Sequence, residues 1–246
     1  MLVLLPPSEG KAAPRSGGSL DLGTLVFGEL TARRERLLDN LERLATRKLP
    51  TALKALKLSP GLAGEVARDG QLRTAPAAAA HEVYTGVLYE HLRPASLSGA
   101  ARERILIASA LWGMVRADDV IPAYRLSMQA QLPRVGALAG YWRDALRRVI
   151  PDEGLIVDMR SGTYASAWAP SAATLVKVRG FVEADGKRTV VSHMVKATRG
   201  DVARVLLSLP QPPSDPQQIA HAVEEAGHRV ELTPAGAGWS LDVILQ

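Results

Sequence analysis

Between Ile105 and Met128 the chain reads ILIASALWGMVRADDVIPAYRLSM. The segment opens with an unbroken apolar run, Ile105 to Ala108, short enough to be a buried strand. Small residues follow (Ser109, Ala110, Gly113), and then Arg116, Asp118, Asp119, Tyr124 and Arg125, with Pro122 among them. A buried strand that empties into a Gly- and Pro-marked polar segment belongs in an α/β protein. In such folds ligands sit in the crevice beyond the carboxyl ends of the strands. The same order also admits a plainer outcome: a strand, a turn and a salt-bridged loop.

The pattern recurs along the chain. Leu2 to Leu5 is a second apolar run, ending in Pro6-Pro7-Ser8-Glu9-Gly10-Lys11. Prolines stop the strand, Gly10 frees the backbone, and Lys11 can face an anion near the strand end. This is not a P-loop, because the GxxxxGK[ST] spacing is absent. Residues 12–23 are rich in Gly, Ser and Pro and read as a mobile loop. Leu155 to Met159 is a third strand, followed by Arg160, Ser161, Gly162, Thr163 and Tyr164. Leu175 to Val182 and Arg188 to Ser192 flank Asp185-Gly186, a hairpin signature. His193, Lys196 and Arg199 then share roughly one face of a helix running to about Leu209. Helical patterns fill the intervals. From Leu30 to Leu44, Leu37, Leu38, Leu41 and Leu44 form an apolar face, with Arg33, Arg34, Arg36 and Arg43 mostly elsewhere. Ala137 to Val149 is another helix, and Asp215 caps one that ends at Gly227. There is no internal repeat and no domain boundary. The fold class expected is α/β (mixed α+β): one compact domain over residues 1–246, with a mixed sheet and surrounding helices.

Composition narrows the chemistry. The chain has no cysteine, which removes disulfides, thiolate metal sites and thiol redox cycles. Its five histidines are scattered without ligand spacing, so no metal site and no cofactor is expected. No apolar run approaches the ~20 residues of a membrane helix. The short apolar start lacks a basic leader, and a cytoplasmic protein is expected. The net charge is +5, and Arg33 to Arg73 hold ten Lys/Arg against five Asp/Glu, a surplus equal to the whole net charge. A local surplus of this kind is the pattern of an electrostatic footprint for nucleic acid or another anion.

Within that region, Pro50 suits a helix start, Ser59-Pro60-Gly61 breaks the helix, and Leu62 to Ala67 resumes it. Two short helices about a Gly-containing turn, over residues 44–70, resemble a helix-hairpin-helix. Lys54, Lys57, Gly61, Gly64 and Arg68 would give it phosphate contacts with little sequence preference. Helix-turn-helix packing with solvated lysines fits the same pattern.

Five segments in order resemble the YaaA peroxide-stress family. They are LLPPSEGK (Leu4 to Lys11), VYTGVLY (Val83 to Tyr89), ALWGMVRADDVIPAYRLSM (Ala110 to Met128), RSGTYASAW (Arg160 to Trp168) and SHMVKATRG (Ser192 to Gly200). The resemblance implies a compact mixed α/β fold, a helix-hairpin-helix in the first third and a positively charged cleft. It also implies binding to double-stranded or distorted DNA and protection against hydroxyl-radical damage under hydrogen peroxide, by lowering intracellular iron. The matching polar positions are Ser8, Lys11, Tyr84, Thr85, Arg116, Asp119, Tyr124, Arg125, Tyr164, Lys196 and Arg199. The chain departs from many relatives at Leu111-Trp112-Gly113 and Ala117-Asp118-Asp119, and its hairpin turn is not a strict consensus.

Two classes of function follow. In the first, a monomeric DNA-binding protein contacts phosphates through Arg33 to Arg73 and through the cleft. In the second, an enzyme acts on a nucleotide, nucleobase or other anionic small molecule, with Asp119 as general base and Lys11 or Lys196 as electrophilic partner. No nucleophile motif or cofactor fingerprint marks a reaction. A structural salt-bridge network is the third possibility.

Overall fold

The computed structural model describes residues 1–184 and 187–245. In chain order its elements are β1 (Leu2–Leu5), α1 (Thr31–Ala45), α2 (Leu49–Leu56), α3 (Ala63–Asp69), β2 (Ala77–Ala79), α4 (Ala80–Val83), α5 (Val87–Leu92) and α6 (Gly99–Arg102). There follow β3 (Ile105–Ser109), β4 (Gly113–Arg116), β5 (Val120–Pro122), β6 (Gln131–Leu132), β7 (Gly136–Ala137), α7 (Leu138–Val149), β8 (Leu155–Asp158) and α8 (Gly162–Ala165). The chain closes with β9 (Thr174–Ala184), β10 (Lys187–Thr189), α9 (Ser192–Ser208), α10 (Pro216–Glu225), β11 (Arg229–Ala235) and β12 (Gly238–Leu245).

Among the described residues one sheet of eight strands organises the domain, in the order β11-β12-β9-β8-β1-β3-β4 with β10 on β9. The three apolar runs form its centre. β1 pairs in parallel with β3 (Val3 opposite Ile105) and with β8 (Val3 opposite Val157). Every residue of β3 and β8 is buried. Helices cover both faces of such strands, so the runs read as continuous apolar sequence rather than alternating. The chain leaves β1 to build β3 and β4 on one side, then crosses back through α7 to lay β8 on the other. The boundary between β1 and β8 is therefore a topological switch point, where the loops leaving two carboxyl ends splay apart.

The sheet's outer half is mixed. β9 runs parallel to β8 and β12, whereas β11 is antiparallel to β12. β10 pairs antiparallel with β9, as a hairpin requires; the expected Asp185-Gly186 turn lies outside the described residues. Asp215 caps α10 by accepting the Gln218 N–H at 2.8 Å. Trp112 and Trp142 are fully buried in a hydrophobic core that draws on the whole chain. Among the described residues no helix is long and apolar enough to cross a membrane.

Three expectations require correction. The polar segment after β3 is not a loop. Gly113 to Arg116 return as β4 against β3, and Val120 to Pro122 form β5 against β2. Residues 12–23 lack regular structure, but the loop is tied down, with the Ala77 N–H donating to the Gly18 carbonyl at 2.9 Å. Arg34 lies inside the core rather than on the outer face of α1, with no exposed surface. Its guanidinium donates to the carbonyls of Val26 (2.7 Å), Phe27 (3.4 Å), Trp112 (3.1 Å) and Met114 (3.1 Å). An Arg fork reaches four carbonyls from one side chain, and those of Phe27 and Trp112 also accept the Leu30 and Met114 N–H groups.

Candidate functional site

A cleft of about 830 Å³ opens at the switch point. Its floor is the Pro6–Lys11 segment leaving β1. One wall comes from the polar residues after β8 (Ser161, Thr163, Tyr164), another from Thr85 to Tyr89 at the start of α5. Arg125 to Ser127 and Gln129, beyond β5, close a third side. Lys196 and Arg199 reach in from α9, and Leu56 to Leu58 at the end of α2 form the rim.

Lys11 sits at the centre of the floor. Its Nζ donates to the Ser8 carbonyl at 2.7 Å and lies over the rings of Tyr124 (4.2 Å to the centroid) and Tyr84 (5.4 Å). A backbone bridge to Tyr84 and the Ala12 N–H bond to the Val83 carbonyl (2.9 Å) hold the segment in place. Burial, first, and the Arg125 guanidinium, second, bring Lys11 down to about 7. The Asp69, Glu65 and Glu9 carboxylates act the other way.

Behind Lys11 the two tyrosines form a buried polar chain. The Tyr84 and Tyr124 hydroxyls share a hydrogen bond at 2.8 Å, and Tyr124 shares another with Ser109 at 2.7 Å. Ser109 Oγ also accepts the Trp112 N–H at 2.9 Å, turning the chain out of β3. Burial pushes both phenols well above their ordinary range, so they support the floor as neutral hydroxyls.

Arg125 is tethered rather than mobile. It donates to the Glu9 carbonyl at 2.8 Å and to its carboxylate at 3.3 Å, while its N–H donates to Asp69 Oδ1 at 2.8 Å. Asp69 is buried, its second oxygen has no partner among the described residues, and burial raises its carboxyl to about 7. Thr85 N–H donates to Ser8 Oγ at 3.0 Å, pinning the loop after β1 to the start of α5. Burial lowers Arg199, partly offset by Asp158. Asp158 itself holds Arg160 in a buried bidentate pair, both bonds 2.9 Å. Close packing of α9 on α5 brings Lys196 and Arg199 to the cleft. It depends on Gly200, where a Cβ would collide with the Leu88 carbonyl and with His91 Cβ.

Of the expected cleft residues, Ser8, Lys11, Thr85, Arg125, Tyr164, Lys196 and Arg199 line this space. Tyr84 and Tyr124 lie just beneath it. Arg116 and Asp119 do not line it. Asp119 accepts the N–H groups of Arg116 (3.0 Å) and Val26 (3.2 Å) and so ties the loop before α1 to the β4 turn. Arg116 donates to the Glu103 carbonyl. Their place beside Tyr124 in sequence does not survive folding, because β4 and β5 carry them to other faces. Asp119 is thus a loop anchor rather than a base facing the cleft.

The candidate hairpin divides similarly. Lys57 lines the cleft and Lys54 is exposed on α2, but Arg68 pairs with Glu65 at 2.8 Å. Gly61 lies in a short 3-10 turn (Pro60–Leu62) and Gly64 in α3, both with open space where a Cβ would stand. Neither turn geometry nor packing demands glycine there. The basic surplus of Arg33 to Arg73 is also partly consumed internally. Arg34 is buried, Arg73 bridges Asp39 and Glu42, and Arg33 and Arg36 donate to the carbonyls of Tyr141 and Arg134. Arg43, Arg47, Lys48, Lys54 and Lys57 remain exposed.

Sequence reasoning passed over Asp69, Glu9 and Gln129. Asp69 carried a usable signal: an acidic residue in the last turn of α3 opposes the helix dipole, which implies a tertiary partner. Among the described residues no group of three His, Asp or Glu side chains is placed to hold a metal ion.

Fold and site together define a mixed-sheet α/β protein with a cationic cleft at the carboxyl ends of its central parallel strands. The family model described as peroxide stress protein YaaA matches residues 1–231. A UPF0246 protein of Streptomyces coelicolor is 46% identical over 100% of this chain and 98% of its own length. UPF0246 proteins of Corynebacterium efficiens (41%, 94% and 95%) and Corynebacterium glutamicum (37%, 95% and 96%) are similar along nearly their full lengths. The chain belongs to the YaaA peroxide stress family, also called UPF0246, and is a peroxide-stress-related protein.

Proposed function

We propose that this protein binds double-stranded or distorted DNA in its cleft during hydrogen peroxide stress. In this reading it protects DNA from oxidative damage, in a response that limits intracellular iron. One observation carries the DNA reading. Four cations (Lys57, Arg125, Lys196 and Arg199) line the cleft around Lys11 with a single carboxylate, Glu9, which is itself paired to Arg125. The hydroxyls of Ser127, Ser161 and Thr163 sit among them, while those of Ser8 and Thr85 donate to the Gly10 carbonyl. Cations interleaved with hydroxyl donors are the chemistry that grips a phosphate backbone without reading bases. Arg43 on α1, Arg47 and Lys48 between α1 and α2, and Lys54 on α2 are further exposed cations. The iron-limiting part of the reading rests on the family resemblance.

The test is fluorescence anisotropy with labelled duplex, bulged and single-stranded DNA across a salt series. Four phosphate contacts give a slope of about −3.6 in log affinity against log salt, roughly a hundredfold loss between ~50 and ~200 mM. Lys196→Ala and Lys57→Ala should each weaken binding about equally on all sequences and flatten that slope by about 0.9. Absence of binding to any of the three DNAs at low salt sinks the reading.

A further inference from the structure

We infer that Lys11 is an amine nucleophile that captures an aldehyde carried beside a phosphate, forming an imine on the floor of the cleft. The inference rests on the DNA reading for the source of that aldehyde. Loss of a base leaves a deoxyribose whose opened ring presents an aldehyde between two backbone phosphates.

The placement of Lys11 departs from that of a phosphate clamp. A clamp keeps its ammonium hydrated and its donors free; Lys196 is exposed. Lys11 Nζ instead lies against two tyrosine rings, with one donor committed to the Ser8 carbonyl at 2.7 Å. Arg125 stands beside it, held by Glu9 and Asp69. Desolvation and an adjacent fixed cation are the two means by which proteins make a lysine nucleophilic. Both act on Lys11, and near pH 7 a substantial fraction is neutral amine. Arg125, Lys196, Arg199 and Lys57 are placed around it to seat the phosphates that flank the aldehyde carbon.

The chemistry needs no co-reactant. The neutral Nζ adds its lone pair to the carbonyl carbon, and the carbonyl oxygen takes up a proton. The resulting carbinolamine loses water as the nitrogen pair forms the C=N bond. Hydrolysis reverses the sequence and returns the free amine.

The full-length protein is incubated with duplex DNA bearing one abasic site, or with glyceraldehyde 3-phosphate, each with sodium cyanoborohydride to reduce any imine. Intact mass gives the adduct, and a peptide map of the wild-type protein locates it, so the reading does not depend on a variant's folding. The expected result is an adduct on Lys11 with abasic duplex, absent from Lys11→Arg. Its rate should climb about tenfold per pH unit below 7 and level off above, where an ordinary lysine would keep climbing towards pH 10. An adduct at Lys11 with the small aldehyde alone, and no DNA bound, upholds the nucleophile and overturns the DNA reading. Abasic duplex that binds without modifying Lys11, or adducts spread over exposed lysines only, overturns the nucleophile and leaves the DNA reading standing.

Discussion

Lys57 offers a test in which stability and binding separate. It follows α2 in a left-handed conformation, φ 54° and ψ 43°. The Leu58 N–H donates to the Leu53 carbonyl at 2.9 Å and the Lys57 N–H to the Lys54 carbonyl at 3.3 Å. These two bonds form a Schellman motif, whose left-handed position is ordinarily glycine. A side chain there costs about 1–2 kcal/mol. Glycine's extra freedom in the unfolded chain returns about 0.4–1 kcal/mol of any gain. Lys57→Gly should therefore be more stable than Lys57→Ala by about 0.5–1 kcal/mol, or roughly 1–4 °C in Tm for a chain of this size. Both substitutions remove the same charge from the cleft rim, so both should weaken DNA binding equally and flatten its salt slope by about 0.9. Urea unfolding gives the first quantity and anisotropy the second. If the glycine variant is no more stable than the alanine variant, the argument for backbone strain at the rim fails. If neither variant alters the salt slope, Lys57 touches no phosphate.

Other expectations follow from single side chains. Arg34→Met removes a donor from four carbonyls, of which those of Phe27 and Trp112 keep a backbone N–H partner, and takes from Asp119 its nearby cation; this should cost about 2–4 kcal/mol in urea unfolding. A change under ~1 kcal/mol would refute that account. Gly113 has φ 75°, and a Cβ there would lie 2.9 Å from the Trp142 ring; Gly113→Ala should cost about 2–4 kcal/mol through backbone strain and overpacking, read as a lower Tm. Asp69 binds its proton more tightly in the fold than in the unfolded chain, so its stabilisation is present at low pH and lost as pH rises to about 7. Relative to Asp69→Asn, the wild type should lose stability from about pH 4 to pH 7 at up to ~1.4 kcal/mol per unit. Parallel unfolding curves for the two proteins over that range would contradict the buried carboxyl.

The central sheet was legible because burial on both faces leaves a signature that solvent cannot blur. Leu2 to Leu5, Ile105 to Ala108 and Leu155 to Met159 are apolar at every position, and each became a central strand. Their adjacency was not legible, since the pairing of Val3 with both Ile105 and Val157 spans more than a hundred residues. The second half of the Ile105–Met128 segment was misread for a related reason. β4 and β5 are four and three residues long, and their polar residues serve edges and turns. Short strands with charged ends look like loops until a partner strand is supplied. Arg34 was unreadable from helical periodicity, because an arginine that feeds four carbonyls occupies the core with a surface residue's letter.

The site followed the same logic. Residues that directly follow a central strand reach the cleft wherever the strand end faces the switch point. This is why Ser8 and Lys11 after β1, and Thr163 and Tyr164 after β8, converge from distant parts of the chain. Arg116 and Asp119 follow β3 at a greater distance, and β3 turns back through Gly113 into β4, so its carboxyl end presents Ser109, hydrogen-bonded to the Tyr124 hydroxyl, instead. Net charge was a poorer guide than position. Arg33, Arg34, Arg36, Arg68 and Arg73 donate to partners within the chain, Arg36 and Arg68 at its surface, whereas Lys196 and Arg199, from a stretch with no notable surplus, line the cleft. A guanidinium satisfies several carbonyls at once and is readily recruited into structure. The cations that remain available for an anion are those at strand and helix ends around one open space, and Lys11 lies at their centre.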